Sequence, residues 1–331
     1  MKINIFTEIE LTSIKTTGIV TGYKGLMEGL EKEGVEVVVN AKEGYDILHI
    51  HSFGPLSLVK AIREKKPVVI TTHTVPDEMS LLYRGGTCIQ GLFEKYLTFV
   101  YNQADLLICP SEFAKNRVKK MGVKSRIVVE SNGIHTHKFS RSEEKRKKFR
   151  RDYNIKDGET VVGCVGIPSK RKGLDVVVDA AKKLSDVKFF WIGENVYGHL
   201  LKDYKYLERL KTHHPKNLLI TGYVDDIQAA YSGMDIFLFP TMIETEGLVI
   251  LEATCSDLPI ITSKVEGLSW VKDKEQCIKA ETTEEYVEAI STLMDHPEKG
   301  KELVKSAKAL TVEKNISVVI KRIIKLYESL L

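Results

Sequence analysis

The sequence predicts an α/β protein of two doubly wound, Rossmann-like parallel-sheet domains facing each other across a cleft. Two observations lead there. Apolar runs of strand length alternate with amphipathic helical patterns from end to end, as parallel sheets with right-handed crossovers require. The alternation also comes in two series, the second starting after the strongly basic segment Arg141–Arg151, and 331 residues suit two domains better than one.

The first series places strands at Lys2–Phe6, Val35–Asn40, Ile47–His51, Val68–Thr72, Leu106–Cys109 and Ile127–Glu130. Between them, Tyr23–Glu33, Leu56–Glu64 and Glu112–Met121 carry apolar residues at helical spacing. The second series places strands at Thr160–Val165, Lys188–Ile192, Leu218–Thr221, Asp235–Phe239 and Pro259–Thr262, with helices between. The expected boundary lies near Asn132–Ser140, giving a first domain over 1–138 and a second over 139–315. A closing helix, 316–331, is apolar at helical period and is expected to pack across the two. No solenoid repeat is present.

Composition narrows the function. Apolar and charged fractions of 43% and 28% are those of a globular protein. Five scattered cysteines without a Cys-x-x-Cys pair argue against structural zinc and a disulfide framework. Met1–Phe6 enters a strand directly with no signal-peptide pattern, and no apolar run reaches the roughly 20 residues of a membrane helix. A cytoplasmic location is expected, with room for attachment to a membrane face. The net charge of +4 is small, but Lys115–Arg126 and Arg141–Arg151 concentrate basic side chains. Such runs are solvated faces or attract an anionic bilayer. No nucleic-acid-binding motif is visible, so nucleic acid is not an expected partner.

The richest stretch is Glu244-Thr-Glu-Gly-Leu-Val-Ile-Leu-Glu252-Ala253. Met234–Phe239 reads as a buried strand ending at Pro240, so Glu244 lies in a loop at the carboxyl end of a strand, where open α/β sheets bind ligands. The N–H groups of Gly247, Leu248 and Val249 open the next helix, and such an end attracts phosphate or a developing anion. Were the whole stretch helical, the glutamates would stand ~12 Å apart along the axis, beyond the roughly 5–9.5 Å of glycosidase pairs. They suit different parts of one long ligand; the plain alternative is two surface glutamates flanking a helix. Upstream, Lys172 and Gly173 open another helix after the strand Val161–Val165. A lysine there adds a full charge to the helix amides, which suits a diphosphate, and no Walker P-loop order is present. Thr16-Thr17-Gly18 precedes the first long helix, where backbone often approaches phosphate; a simple turn is the alternative.

His49 and His51 share one face at a strand end, and His73 follows the next strand. Together they open a competing reading, a metal-dependent hydrolase. That class needs further ligands at the strand ends of a single barrel. His135, His137, His213 and His214 fall instead in loops or helix ends. Hydrogen-bonded packing is the simpler role for His49 and His51.

In this order the segments resemble the retaining glycosyltransferases of family 4, which have the GT-B fold, nearly end to end. Asp46–His51, Thr72-His73-Thr74, Pro110-Ser-Glu-Phe-Ala-Lys115, Glu130-Ser-Asn-Gly-Ile134, Gly222-Tyr-Val224, Tyr231–Pro240 and the E-x7-E motif Glu244–Ala253 carry the likeness. The resemblance implies a UDP- or GDP-sugar donor held mainly by the second domain and an acceptor held mainly by the first. It implies that Glu244 and the amides of Gly247, Leu248 and Val249 hold the donor sugar, and that Glu252 binds the ribose. Lys172 would hold the diphosphate with Gly18 closing over it, and His73 would sit beside the donor sugar. His73 and Glu244 are thus the implied catalytic residues. No metal or cofactor is expected, because lysine, amides and helix dipoles neutralise the leaving diphosphate.

Three positions depart from the family. Ile167 stands where an arginine is usual, so Arg171 or Lys170 is the expected substitute diphosphate clamp. His135 replaces the aspartate of the family's Asn-Gly-Ile-Asp turn, and Glu246 replaces a frequent aromatic. Within the family, the likeness is to diacylglycerol glucosyltransferases and related membrane-surface enzymes. Leu92–Tyr101 supports it: Phe93, Leu97 and Val100 take one helix face, and Leu92, Tyr96 and Phe99 another. Such a helix is buried or touches something apolar. The expected function is transfer of a hexose to a lipid hydroxyl at the membrane surface. The alternatives are a soluble sugar, sugar-phosphate or polyol acceptor, a non-catalytic sugar-nucleotide binder, and the metal hydrolase.

Overall fold

The structure, a computed structural model, describes residues 1–11 and 18–331. Two compact units emerge, one of Met1–Ser80, Gly85–Ile134 and Glu313–Leu331, the other of Leu81–Arg84 and His135–Val312. The division falls at Ile134, just before the expected boundary of 138. Residues 313–331 belong to the first unit, and the short segment Leu81–Arg84, inside the first series, belongs to the second.

The first unit holds strands β1 (Lys2–Phe6), β2 (Glu36–Val39), β3 (Ile47–Ile50), β4 (Val68–Thr71), β5 (Leu106–Cys109) and β6 (Arg126–Val129). They form one parallel sheet in the order β2-β1-β3-β4-β5-β6. Strands β3, β4 and β5 are buried at every position, the unbroken apolar pattern of a parallel sheet covered on both faces. Helices α1 (Gly18–Lys32), α2 (Pro55–Arg63), α3 (Pro76–Leu82), α4 (Gly86–Tyr101) and α5 (Glu112–Lys120) make the crossovers. Ser111 caps α5, its side chain accepting the Ala114 N–H.

The second unit contributes α6 (Glu143–Asp152), β7 (Val161–Val165), α7 (Leu174–Lys183), β8 (Lys188–Ile192), α8 (Tyr204–Leu210), β9 (Leu218–Gly222), α9 (Ile227–Gly233) and β10 (Ile236–Phe239). After these come α10 (Leu248–Cys255), β11 (Ile260–Ser263), β12 (Ile278–Ala280), α11 (Thr283–Asp295) and α12 (Pro297–Glu313). Its parallel sheet runs β12-β11-β10-β7-β8-β9. The three-residue β12 has no counterpart among the expected strands.

The last helix, α13 (Ile316–Glu328), buries Ile316, Val319, Ile320, Ile323 and Tyr327. These join Ile3, Ile5, Tyr23 and Leu30 in the core of the first unit. The helix expected to lie across the domains is thus part of one face of the first sheet.

Strand order decides where ligands gather. In the second sheet, chain order reverses between β7 and β10, so the loops leaving these two strands diverge and open a crevice at their carboxyl ends. The first sheet reverses between β1 and β3.

Candidate active site

The loops after β7 and β10 carry the residues singled out from sequence. After β7, Lys170–Lys172 form one tight turn, with Ser169 Oγ accepting the Lys172 N–H at 3.4 Å. Gly173 follows at φ +83°, and a Cβ there would lie 2.1 Å from the Pro240 carbonyl oxygen. Only glycine lets this loop close onto the end of β10. The closure brings Lys172 Nζ and the Glu244 carboxylate into a direct ion pair, with Nζ 4.9 Å from the centre of the Phe239 ring.

Arg171 stitches the same two loops together. Its carbonyl accepts from the Met242 N–H at 2.8 Å and Thr241 Oγ1 at 3.3 Å, and its guanidinium donates to the Ile243 carbonyl at 3.3 Å. The side chain is buried beneath the Glu244 loop. Lys170 turns away: its N–H bonds Asp203 at 2.8 Å and its ammonium lies over the Tyr206 ring. Of the two expected substitutes for the missing arginine, Arg171 therefore lies beside Glu244 and Lys170 lies against α8.

Burial works against a charge on Glu244. The cations of Lys172 and Arg171 and the Thr245 N–H outweigh it and hold the carboxyl below its ordinary range. Gly247, at φ +81°, then turns the chain into α10, placing the amides of Gly247, Leu248 and Val249 at the helix start as expected. Glu252 lies buried within α10. Its Oε2 accepts from the Tyr231 hydroxyl at 2.6 Å, and burial raises its pKa to about 7, partly opposed by that hydrogen bond. Glu246 is also buried, and its carbonyl accepts the Trp270 indole N–H at 2.9 Å.

In the first unit, three histidines gather at the ends of β3 and β4. His49 is closed on both sides: Nδ1 meets the Tyr327 hydroxyl at 2.6 Å and Nε2 meets Thr71 Oγ1 at 2.8 Å. His51 Nδ1 lies 2.9 Å from His73 Nε2. Ring centres are 4.2 Å apart for His49 and His51 and 5.2 Å for His51 and His73. Burial lowers all three: His49 to about 3, with a contribution from His73, His51 well below its ordinary value, and His73 to about 4. All three are neutral at neutral pH. Four of their six ring nitrogens are used on one another or on hydroxyls, and no group of three side chains spaced to hold a metal occurs among the described residues. His213 and His214 are exposed, and His135 and His137 contact each other in the second unit. Gly18 opens α1, and among the described residues nothing stands within 4 Å of a Cβ placed there; Thr16 and Thr17 lie outside the described residues.

Two partners were not visible from sequence. Tyr231, beneath Glu252, and Tyr327, against His49, lie 21 and 278 residues from the groups they hold. No local spacing signals either. The His51–His73 pair was more accessible, since consecutive parallel strands that neighbour each other bring their carboxyl ends together.

Two family models match the chain: Glycosyl transferases group 1 over residues 145–325 and Glycosyltransferase Family 4 over residues 40–138. The processive diacylglycerol alpha-glucosyltransferase of Acholeplasma laidlawii is 29% identical over 298 residues, which span 89% of this chain and 88% of that protein. The alpha-galactosylglucosyldiacylglycerol synthase of Streptococcus pneumoniae is 22% identical over 322 residues, 95% of this chain and 85% of that protein. Among solved structures, Anabaena HepE in complex with UDP-glucose matches with a TM-score of 0.81 at 18% identity, with 100% of both chains covered. That last likeness is one of fold.

Proposed function

The chain belongs to the group 1 glycosyl transferases, and we propose that it moves a hexose from a UDP- or GDP-sugar to a hydroxyl of a lipid acceptor, with retention at the anomeric carbon and without a metal. The observation that carries this reading is the Lys172–Glu244 pair at the switch point of the second sheet, at the head of an E-x7-E segment. A nucleotide-diphospho-sugar offers both a dianionic diphosphate and sugar hydroxyls, which match a lysine and a carboxylate respectively. Lys172 and the amides at the start of α10 take the negative charge that grows on the leaving diphosphate. Glu244, held ionised by its neighbours, accepts from donor-sugar hydroxyls. Glu252 keeps Oε1 for a ribose hydroxyl while Tyr231 occupies Oε2. His73 contributes to the donor sugar, and Gly18 to the diphosphate. Retention follows from same-face attack, the leaving phosphate taking the acceptor's proton.

Two features favour a lipid acceptor. Both relatives above are named for diacylglycerol-based glycolipids. The first unit also presents apolar side chains to its surface. On α4, Leu97 and Val100 are buried while Ile89, Leu92 and Phe99 are exposed, Leu92 at 73%. On α2, Leu56, Val59 and Ile62 are exposed beside Lys60 and Arg63. Apolar faces flanked by cations suit attachment in the plane of an anionic bilayer, on the cytoplasmic face in this reading. Among the described residues no helix is long and apolar enough to cross a membrane.

The diphosphate assignment is tested by Lys172→Ala. The variant should lose roughly tenfold or more in affinity for UDP or GDP, one charge-assisted hydrogen bond's worth, and much less for the corresponding monophosphate. Equal losses for both would remove Lys172 from the diphosphate site.

A further inference from the structure

His51 and His73 share a single hydrogen bond, and its direction follows from the far side of His51. Both rings are neutral, so at the 2.9 Å contact one nitrogen carries the proton and the other offers a lone pair. His51 Nε2 is buried and has no hydrogen-bond partner among the described residues. If His73 donated to His51, His51 would carry its own proton on that Nε2, a buried N–H with no acceptor. If His51 donates, Nε2 is left as a bare lone pair. Buried orphan N–H groups are the rarer of the two defects. The bond therefore runs from His51 Nδ1–H to His73 Nε2, and neutral His73 must hold its own proton on Nδ1. No hydrogen bond to His73 Nδ1 forms among the described residues.

We propose that His51 is a positioning residue that locks His73 in the Nδ1–H tautomer, so that His73 meets its ligand as a hydrogen-bond donor through Nδ1. The complementary ligand atom is an oxygen acceptor, a sugar hydroxyl or a phosphate oxygen. This rests on the reading of His73 as part of the transfer site. The surroundings fit a fixed ring. His49 packs against His51, the rings tilted at 44°, and is itself closed by Tyr327 and Thr71. Gly22 of α1 leaves room for His73: a Cβ there would stand 3.3 Å from His73 Cε1. Tyr23 places its ring 6.2 Å from that of His51.

Long-range proton–nitrogen correlation of the full chain with 15N-labelled histidines reads both tautomers without substrate. His73→Asn and His51→Asn assign the signals. The expected result is a protonated Nδ1 and a bare Nε2 on both rings; a protonated Nε2 on His73 would overturn the proposal. His51→Asn retains an N–H donor at the Nδ1 position and should keep His73 locked, whereas His51→Leu should release it to a tautomer mixture. A His73 still locked in His51→Leu would end the positioning role. In turnover, His73→Asn places an amide nitrogen where Nδ1 was, and His73→Gln places one where Nε2 was. The first should retain at least about tenfold more activity than the second; the reverse order would contradict donation through Nδ1. If the tautomers are as expected but every His73 variant turns over like the wild type, the transfer-site reading of His73 fails while the His51–His73 assignment stands.

Discussion

At the scale of single residues, the two glutamates of the E-x7-E segment are shifted in opposite directions. Burial works against charge on both, but Lys172 and Arg171 keep Glu244 charged, whereas burial pushes Glu252 up to about 7 from an ordinary 4.5 with the Tyr231 hydroxyl opposing it only in part. A group whose folded pKa lies above its unfolded one stabilises most below the unfolded value, and that stability is lost as pH rises through the folded value. Between pH 4.5 and about 7, Glu252 should therefore cost the second unit about 3 kcal/mol. Both tryptophans, Trp191 and Trp270, lie in that unit, so urea unfolding followed by their fluorescence reads it. Glu252→Gln should be the more stable form at pH 8, with the difference from wild type vanishing near pH 4.5; a pH-independent difference would refute the buried, proton-holding Glu252. The buried histidines carry the opposite sign: their lowered values mean that stability in the first unit is lost as pH falls from 6.5 toward about 3 to 4. The identities of Glu244, Glu252, Lys172 and His73 were legible as candidates because loop chemistry sits beside recognisable strand ends. The charge states of Glu244, Glu252 and His73 were not, because they depend on burial and, for the glutamates, on Arg171 and Tyr231, which only the folded chain brings close.

At the scale of elements, the sequence placed the strands well because fully buried parallel strands read as unbroken apolar runs. Val68–Thr71 and Ile236–Phe239 are of this kind. The strand β12 escaped notice because Ile278-Lys-Ala280 is too short and mixed to carry a period. Helix α4 had two apolar faces and so two readings; the fold buries Leu97 and Val100 and leaves Leu92 and Phe99 outside. The turn between β7 and α7 is the element on which the second-unit site depends. Gly173→Ala would put a side chain at φ +83° and drive its Cβ into the Pro240 carbonyl. Left-handed backbone alone costs roughly 1–2 kcal/mol, so the unfolding free energy from urea titration should fall by at least that amount and the midpoint with it. Affinity for UDP should fall with it, as Lys172 is displaced from Glu244. Wild-type stability in this variant would mean that the two loops are not closed on each other as described.

At the scale of the molecule, the composition overstated how much positive charge is free to attract a bilayer. In α6, Arg146 and Arg150 pair with Asp235, Lys145 with Asp226 and Lys148 with Asp152. Arg117 of α5 bridges Asp77 and Glu94. Those cations are paired with carboxylates, which leaves the exposed apolar faces of α2 and α4 and the remaining lysines as the better-founded membrane contact. Two α/β units were legible in the repeated alternation, but the return of the chain to the first unit through α13 was not, because an amphipathic helix does not announce which core it joins. The central claim, hexose transfer to a lipid, is tested most directly by incubating the full chain with labelled UDP- and GDP-sugars and total lipid, then counting label in the organic phase. Donor-dependent label in extractable lipid, abolished in Glu244→Gln, is the predicted result. Donor consumed with label only in the aqueous phase, or no consumption of any donor, would contradict it.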